Sequence, residues 1–181
     1  MPDFAHLYAV LERAPVRLEP FEDHHVEPFR AVCARDSDIW EIYPVNLGGD
    51  GFDAALTMFR TLNEWVNFAV IDTRTDALVG MTNFIRPKLH NVVEVGGTFI
   101  EPSVRGTGFN RSMKKLIIEH AFAIGFKTVE FRVDTRNKRS MAAVLKLGAE
   151  HTETLPKQMV TWTGYERDTA VFALKPDQWA G

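Results

Sequence analysis

Hydrophobic and polar positions along this chain change period several times, and each change marks an element. Thr128 to Asp134 alternates strictly, with Val129, Phe131 and Val133 on one face and Glu130, Arg132 and Asp134 on the other. That is the two-residue period of a strand. Val92 to Ile100 is a near-continuous apolar run. Asn67 to Asp72 and Leu78 to Ile85 are two more, and Thr73-Arg74-Thr75-Asp76 between them predicts a hairpin. Arg86 to Asn91 predicts a second hairpin, leading into Val92–Ile100. Val16-Arg17-Leu18 predicts a short strand ending at Pro20, and Ala149 to Leu155 and Asp168 to Leu174 predict the last two.

Elsewhere the period is helical. Asp23 is placed to cap a helix over His24 to Ala34, with Val26, Phe29, Arg30 and Cys33 in register. Ala55, Met58, Phe59 and Leu62 share a face of a helix over Phe52 to Glu64. Phe109, Met113, Leu116, Ile117, His120 and Ile124 form the inner stripe of a longer helix reaching Ala123. Met141, Val144 and Leu145 face inward from a short helix over Asn137 to Leu147, and Gly148 stands where a glycine closes a helix. Residues 1 to 14 are loosely patterned and predict an arm or a short helix. Asp36 to Asp50 predicts a loop or short helix rich in large side chains.

The predicted order is β, α, α, β, β, β, α, β, α, β, β. It contains one strand–helix–strand crossover, and the hairpins before it make the sheet mixed, so a doubly wound nucleotide fold is excluded. The expectation is one α/β (α+β) domain over residues 1–181, a mixed and mostly antiparallel sheet flanked by helices.

Composition narrows the function. The 181 residues suffice for one ordinary domain and a sizeable core without a staple. The formal net charge of −3 argues against nucleic acid or a membrane surface as a general partner. A single cysteine, Cys33, permits no intrachain disulfide and makes the cytoplasm the simplest compartment. Cys33 falls on an apolar stripe, which predicts core rather than nucleophile. No apolar run reaches membrane-span length, the start lacks signal-peptide features, and the six histidines show no metal-ligand spacing.

The candidate chemistry lies in Val104-Arg105-Gly106-Thr107-Gly108-Phe109-Asn110, between the Val92–Ile100 strand and the longer helix. A helix that starts on glycines leaves about four backbone N–H groups outward, at the positive end of its dipole. That suits a phosphate, and the Thr107 hydroxyl is a further potential donor. The turn is not a P-loop, because Gly-Lys-Ser/Thr is missing. Alone it reads equally well as a chain reversal.

The segment Arg105-Gly106-Thr107-Gly108-Phe109-Asn110 resembles the Q/R-x-x-G-x-G/A motif of the GCN5-related N-acetyltransferase (GNAT) superfamily, matching at Arg105 and Gly108 and departing at Asn110. The surrounding E-V-G-G-T-F-I-E-P, the N-K-R-S-M-A-A-V-L-K-L-G-A-E run from Asn137 to Glu150 and the G-Y-E-R-D run from Gly164 to Asp168 resemble its RimJ/RimL-like branch. The likeness extends from about Val16 to Leu174.

The resemblance implies acetyl-CoA as co-substrate, its pyrophosphate on the amides of Arg105 to Asn110. It implies a sheet splayed between its fourth and fifth strands, Val92–Ile100 and Thr128–Asp134, with the pantetheine arm in the gap beside Thr98, Phe99 and Ile100. Gly96-Gly97 suits a bulge that produces the splay. The implied reaction is direct attack of a primary amine on the thioester. Glu94, a carboxylate in an apolar strand, is the candidate base, or else the partner of an arginine such as Arg132. Many members protonate the leaving thiolate with a tyrosine; none lies between Asn137 and Leu147, and Ser140 takes the corresponding place. Asn137 would cap that helix and bind pantetheine. Arg111, Lys114, Arg136, Lys138 and Arg139 form a basic surround, read mainly as a solvated face, with the coenzyme 3′-phosphate as the alternative partner for some of them. Trp40, Tyr43 and the Arg86–His90 loop are expected to shape the acceptor side. The acceptor is a protein N-terminal amine or a small amine; a homodimer is a further expectation. The missing tyrosine and Asn110 keep open a non-catalytic acyl-CoA sensor or a transferase of another acyl group, such as succinyl.

Overall fold

The computed structural model describes residues 2–62, 64–89, 91–179 and 181. The strands are β1 (Leu11–Arg13), β2 (Val16–Pro20), β3 (Trp65–Asp72), β4 (Ala77–Leu89), β5 (Val92–Ile100), β6 (Thr128–Asp134), β7 (Glu150–Val160) and β8 (Glu166–Leu174). The α-helices are α1 (Val26–Cys33), α2 (Phe52–Thr61), α3 (Phe109–Ala123) and α4 (Lys138–Leu145). One eight-stranded sheet runs β1-β2-β3-β4-β5-β6-β8-β7. Among the described residues only β5 and β6 pair in parallel, the neighbours of the α3 crossover, so the sheet is mixed and mostly antiparallel as the pattern predicts.

Several boundaries differ from the sequence expectation. The N-terminal segment is neither a loose arm nor an α-helix: it carries a 3-10 turn at Phe4–His6, and Leu11–Arg13 pairs with β2 as an edge strand. A 3-10 turn at Asp23–His25 precedes α1, because the His25 Nδ1 accepts from the Glu22 N–H at 3.0 Å and displaces Asp23 as the cap. Arg86 to Leu89 belongs to β4 rather than to a loop; His90 lies outside the described residues. β7 runs on to Val160, although its exposed, polar outer edge carries no alternation.

Two cores cover the two faces of the sheet. Phe68, Phe84, Val95, Phe131 and Phe172 pack with Phe109, Met113 and Ile117 of α3. Phe29, Trp40, Phe52, Phe59, Met81 and Phe99 pack on the side of α1 and α2. Each such side chain contributes about 1.5–3 kcal/mol on burial. A glycine cap costs only about a few tenths of a kcal/mol relative to Ser or Asn. The α3 stripe therefore holds its helix in place despite a first turn left open.

Candidate active site

The site begins where the sheet opens. β5 and β6 pair at Val92↔Thr128, Val93↔Val129 and Glu94↔Glu130, and no further. From Val95 to Ile100 the β6 side of β5 has no neighbouring strand among the described residues. The cause is one extra residue in β5: Asn83 faces Gly96 and Met81 faces Phe99, so three steps on β5 match two on β4. Gly97 takes φ 56° there, and a Cβ on it would stand 2.6 Å from Asn83 Nδ2. That buried amide donates to the Gly96 and Gly97 carbonyls at 3.1 Å each, with Asn67 Nδ2 on its own oxygen at 2.7 Å. The bulge is clamped, and Asn83 is a positioning residue that the sequence pattern does not reveal.

The gap opens into a cavity of about 780 Å³ that passes from one face of the sheet to the other. Glu94, Thr98, Ile100, Arg105, Gly106, Asn110, Asn137, Ser140 and Tyr43 all line it. Trp40 does not. It is 1% exposed in the core, its Nε1 donating to the Cys33 carbonyl, because Phe99 offers it a ring at 4.7 Å; the expected acceptor contact is corrected accordingly. Phe99 and Phe109 also point into core and can offer only backbone.

At the turn, Gly106 and Gly108 take φ 76° and 87°, and neither Cβ position has an atom within 4 Å. Among the described residues no acceptor takes up the N–H groups of Gly106, Thr107, Gly108 or Asn110. The Thr107 hydroxyl, expected as a further donor, is already spent on the Val104 carbonyl at 2.8 Å. Arg105 turns inward: its Nε donates to the Ile100 carbonyl at 2.9 Å, its Nη1 pairs with Asp36, and it covers the Phe99 ring. It braces the turn rather than facing solvent. Arg111, Lys138 and Arg139 are exposed beside it with no ion-pair partner among the described residues, whereas Arg136 is bound to Asp134 and stacked on Tyr165.

On α4, Asn137 accepts from the Ser140 N–H at 3.0 Å, which leaves the Ser140 hydroxyl without a protein partner among the described residues. Tyr43 donates to the Thr98 carbonyl at 2.6 Å, and burial pushes its phenol up to about 12, so it stays protonated. Glu94, 8% exposed, pairs with Arg86 and lies 3.5 Å from Arg132 Nε. Burial raises its pKa, and the two arginines oppose that rise without cancelling it. Gly96 keeps this carboxylate clear: a Cβ there would stand 3.0 Å from Glu94 Oε1.

Lys114 is a correction. Expected on a solvated face, it is 9% exposed on the cavity wall, its Nζ donating to Thr98 Oγ1 at 2.8 Å with no carboxylate in contact among the described residues. Its place one helical turn after Asn110 puts it on the same flank of α3, the one pattern that could have found it. Burial pushes its pKa down to about 7. The unfolded chain, with an ordinary value near about 10.4, then holds more protons between these limits, so stability rises with pH across that window. Lys114→Met is accordingly expected to raise the melting temperature by roughly 2–6 °C below pH 7 and by progressively less toward pH 10. Thermal unfolding of both proteins across that range checks it; Thr98 keeps its bond to Thr82 at 2.8 Å in either case.

Glu19, His24 and His25 bring one ligand atom each within 4.8 Å of one another, away from the cavity walls. Among the described residues no helix is long and apolar enough to cross a membrane.

The family model for the Acetyltransferase (GNAT) domain matches residues 16–150. No curated protein matches the chain. A GCN5-related N-acetyltransferase from Brucella melitensis superposes with a TM-score of 0.87 at 21% identity, over 95% of this chain and 80% of that one. Spermidine N-acetyltransferase from Vibrio cholerae, in complex with CoA and spermine, gives 0.75 at 16%, over 93% and 100%. Ribosomal-protein-S5-alanine acetyltransferase from Vibrio fischeri gives 0.73 at 15%, over 96% and 100%.

Proposed function

On the premise that this chain belongs to the GNAT acetyltransferase family and is an acetyltransferase, we propose that it moves acetyl from acetyl-CoA to a primary amine by direct attack in a ternary complex. The amine belongs to a small molecule or to a protein N-terminus. The observation that carries this reading is the coincidence of two features among the described residues: a strand edge without a partner strand from Val95 to Ile100, and a turn of uncommitted amides where that edge ends. An extended pantetheine arm fits the first as an added strand, and a pyrophosphate fits the second.

The residues then divide the work. Gly106, Thr107, Gly108 and Asn110 offer backbone N–H groups to the pyrophosphate. Arg105 holds that turn against Ile100 and Asp36. Asn137 and Ser140 offer an amide and a hydroxyl to the pantetheine and the sulfur. Lys114, buried under the gap, adds positive charge that favours the departing thiolate. From the other face, Glu94 takes the proton of the attacking amine, a role its raised pKa suits better than that of an ordinary carboxylate. Tyr43 stays a fixed prop on Thr98 because its hydroxyl proton is engaged with the Thr98 carbonyl.

The test is binding and turnover together. At 1 mM acetyl-CoA and a dissociation constant on the order of 10 µM, linkage stabilises the fold by about 2.7 kcal/mol, a rise of roughly 5–10 °C in melting temperature. A panel of primary amines should then release free thiol. Acetyl-CoA without a thermal shift would overturn the cofactor assignment; a shift without thiol release across the panel would leave a sensor.

A further inference from the structure

The acceptor side of the cavity holds an arginine that the acetyl-transfer scheme does not use. Arg167, in the Gly164–Asp168 run, is 6% exposed and lines the cavity with Glu94 and Arg132. Its Nη2 donates to the Arg132 carbonyl at 3.3 Å, and its Nη1 reaches only the Met159 sulfur at 3.8 Å. Its Nε is buried with no acceptor. Among the described residues no carboxylate lies within ion-pair distance of it. Glu94 is taken by Arg86 and Arg132, Glu130 lies nearest Arg132, and Asp134 is held by Arg136. The guanidiniums of Arg86, Arg132, Arg136 and Arg167 thus outnumber the carboxylates of Glu94, Glu130 and Asp134 by one, and Glu64, an exposed carboxylate that also lines the cavity, makes no ion pair with Arg167. A buried charge left so is costly, and a planar guanidinium with open donors is shaped for a carboxylate.

Resting on the acetyl-transfer reading, we infer that the acceptor is a free amino acid: its amine goes to Glu94 and its carboxylate to the open donors of Arg167. A polyamine would set a second ammonium beside Arg167 and be repelled. A protein N-terminus would present a neutral peptide carbonyl in place of the carboxylate. Of the remaining wall, Ile39, Ile42, Phe59, Trp65 and Ile85 are apolar and call for an apolar side chain, while Glu64 and Gln158 are polar and exposed. Bracing β6 against β8 takes only the Nη2 bond to the Arg132 carbonyl; it does not account for an Nε buried without an acceptor on a residue that lines the cavity.

The experiment measures thiol release from acetyl-CoA with free L-amino acids, their carboxamides and their decarboxylated amines, in sets such as L-phenylalanine, L-phenylalaninamide and phenethylamine, with spermidine alongside. The apolar free amino acids are expected to exceed their carboxamides and amines at least tenfold in kcat/KM, with spermidine last. Arg167→Met should raise KM for the amino acid by tenfold or more and abolish that preference, and Arg167→Lys should restore part of it. Equal or better use of carboxamides, amines or spermidine overturns the inference, as does a preference that survives Arg167→Met. A polar amino acid as the best acceptor overturns the side-chain part. Calorimetry of N-acetyl-L-phenylalanine against N-acetylphenethylamine on the CoA complex needs no turnover. Binding of the former alone, lost in Arg167→Met, upholds the carboxylate site even if acetyl transfer fails, and equal binding of both overturns it.

Discussion

Replacing Glu94 with glutamine is expected to lower kcat/KM for the amine at pH 7 by about a hundredfold or more, with the dissociation constant for acetyl-CoA unchanged. General-base groups contribute roughly 10²–10⁴-fold, and an amine near pKa 8 or above is mostly protonated at neutral pH. The pH profile separates this role from a structural one. Burial holds the Glu94 pKa above the ordinary carboxylate range, so wild-type kcat/KM should rise as pH climbs through that raised value. The glutamine variant should lose that limb while keeping any later rise due to the amine itself. Arg86 retains about a third of its exposure and can turn to water when its partner loses charge. By the same linkage that applies to Lys114, a raised pKa means that ionised Glu94 costs the folded state stability at neutral pH, so the variant with a neutral glutamine is expected to stay folded. An unchanged profile would reduce Glu94 to the ion-pair partner of Arg86 and Arg132.

The two readings of Glu94, base or arginine partner, are both visible in its geometry, and they are compatible. A carboxylate fixed by two arginines does not wander, and the bare Cα of Gly96 leaves it facing the gap. The pair with Arg86 is the one an incoming ammonium competes with. A zwitterionic acceptor eases that exchange, because its carboxylate meets the excess cation at Arg167 as its amine meets Glu94.

What the sequence made legible depends on whether a neighbour along the chain carries the information. The alternation of Thr128–Asp134 and the run Val92–Ile100 coincide with β6 and β5, since periodicity is local. β1 is three residues of no pattern, and only its pairing with β2 makes it a strand. β7 is an edge with nearly every residue exposed, so nothing in its composition alternates. The site divides the same way. Gly106, Gly108 and Gly97 announce themselves because positive φ selects glycine. Lys114, Asn83 and Arg167 do not, since a charged or polar side chain becomes buried only when distant elements close over it. Trp40 failed in the opposite direction: a large aromatic in a loop drawn into the core by Phe29, Phe52 and Phe99.

Gly108→Ala should separate the coenzyme turn from the rest of the fold. The residue takes φ 87° at the N-cap of α3, and its missing Cβ would project into open space. The folded protein alone therefore suffers only left-handed strain, about 1–2 kcal/mol, or roughly 2–8 °C in melting temperature. The ligand suffers more. The methyl group would occupy the space through which phosphate oxygens approach the amides of Gly106, Thr107 and Gly108, and relaxing the strain would turn those amides away. The dissociation constant for CoA is expected to rise about a hundredfold, equivalent to about 2.7 kcal/mol. An acetyl-pantetheine thioester, which lacks the pyrophosphate, reports on the gap without the turn. Its KM should be unchanged in Gly108→Ala, and kcat with saturating acetyl-CoA should recover. Equal losses for both thioesters would mean that the substitution distorts β5 or α3 as a whole. An unaffected CoA affinity would move the pyrophosphate away from the turn and leave Gly106 and Gly108 as a simple reversal between strand and helix.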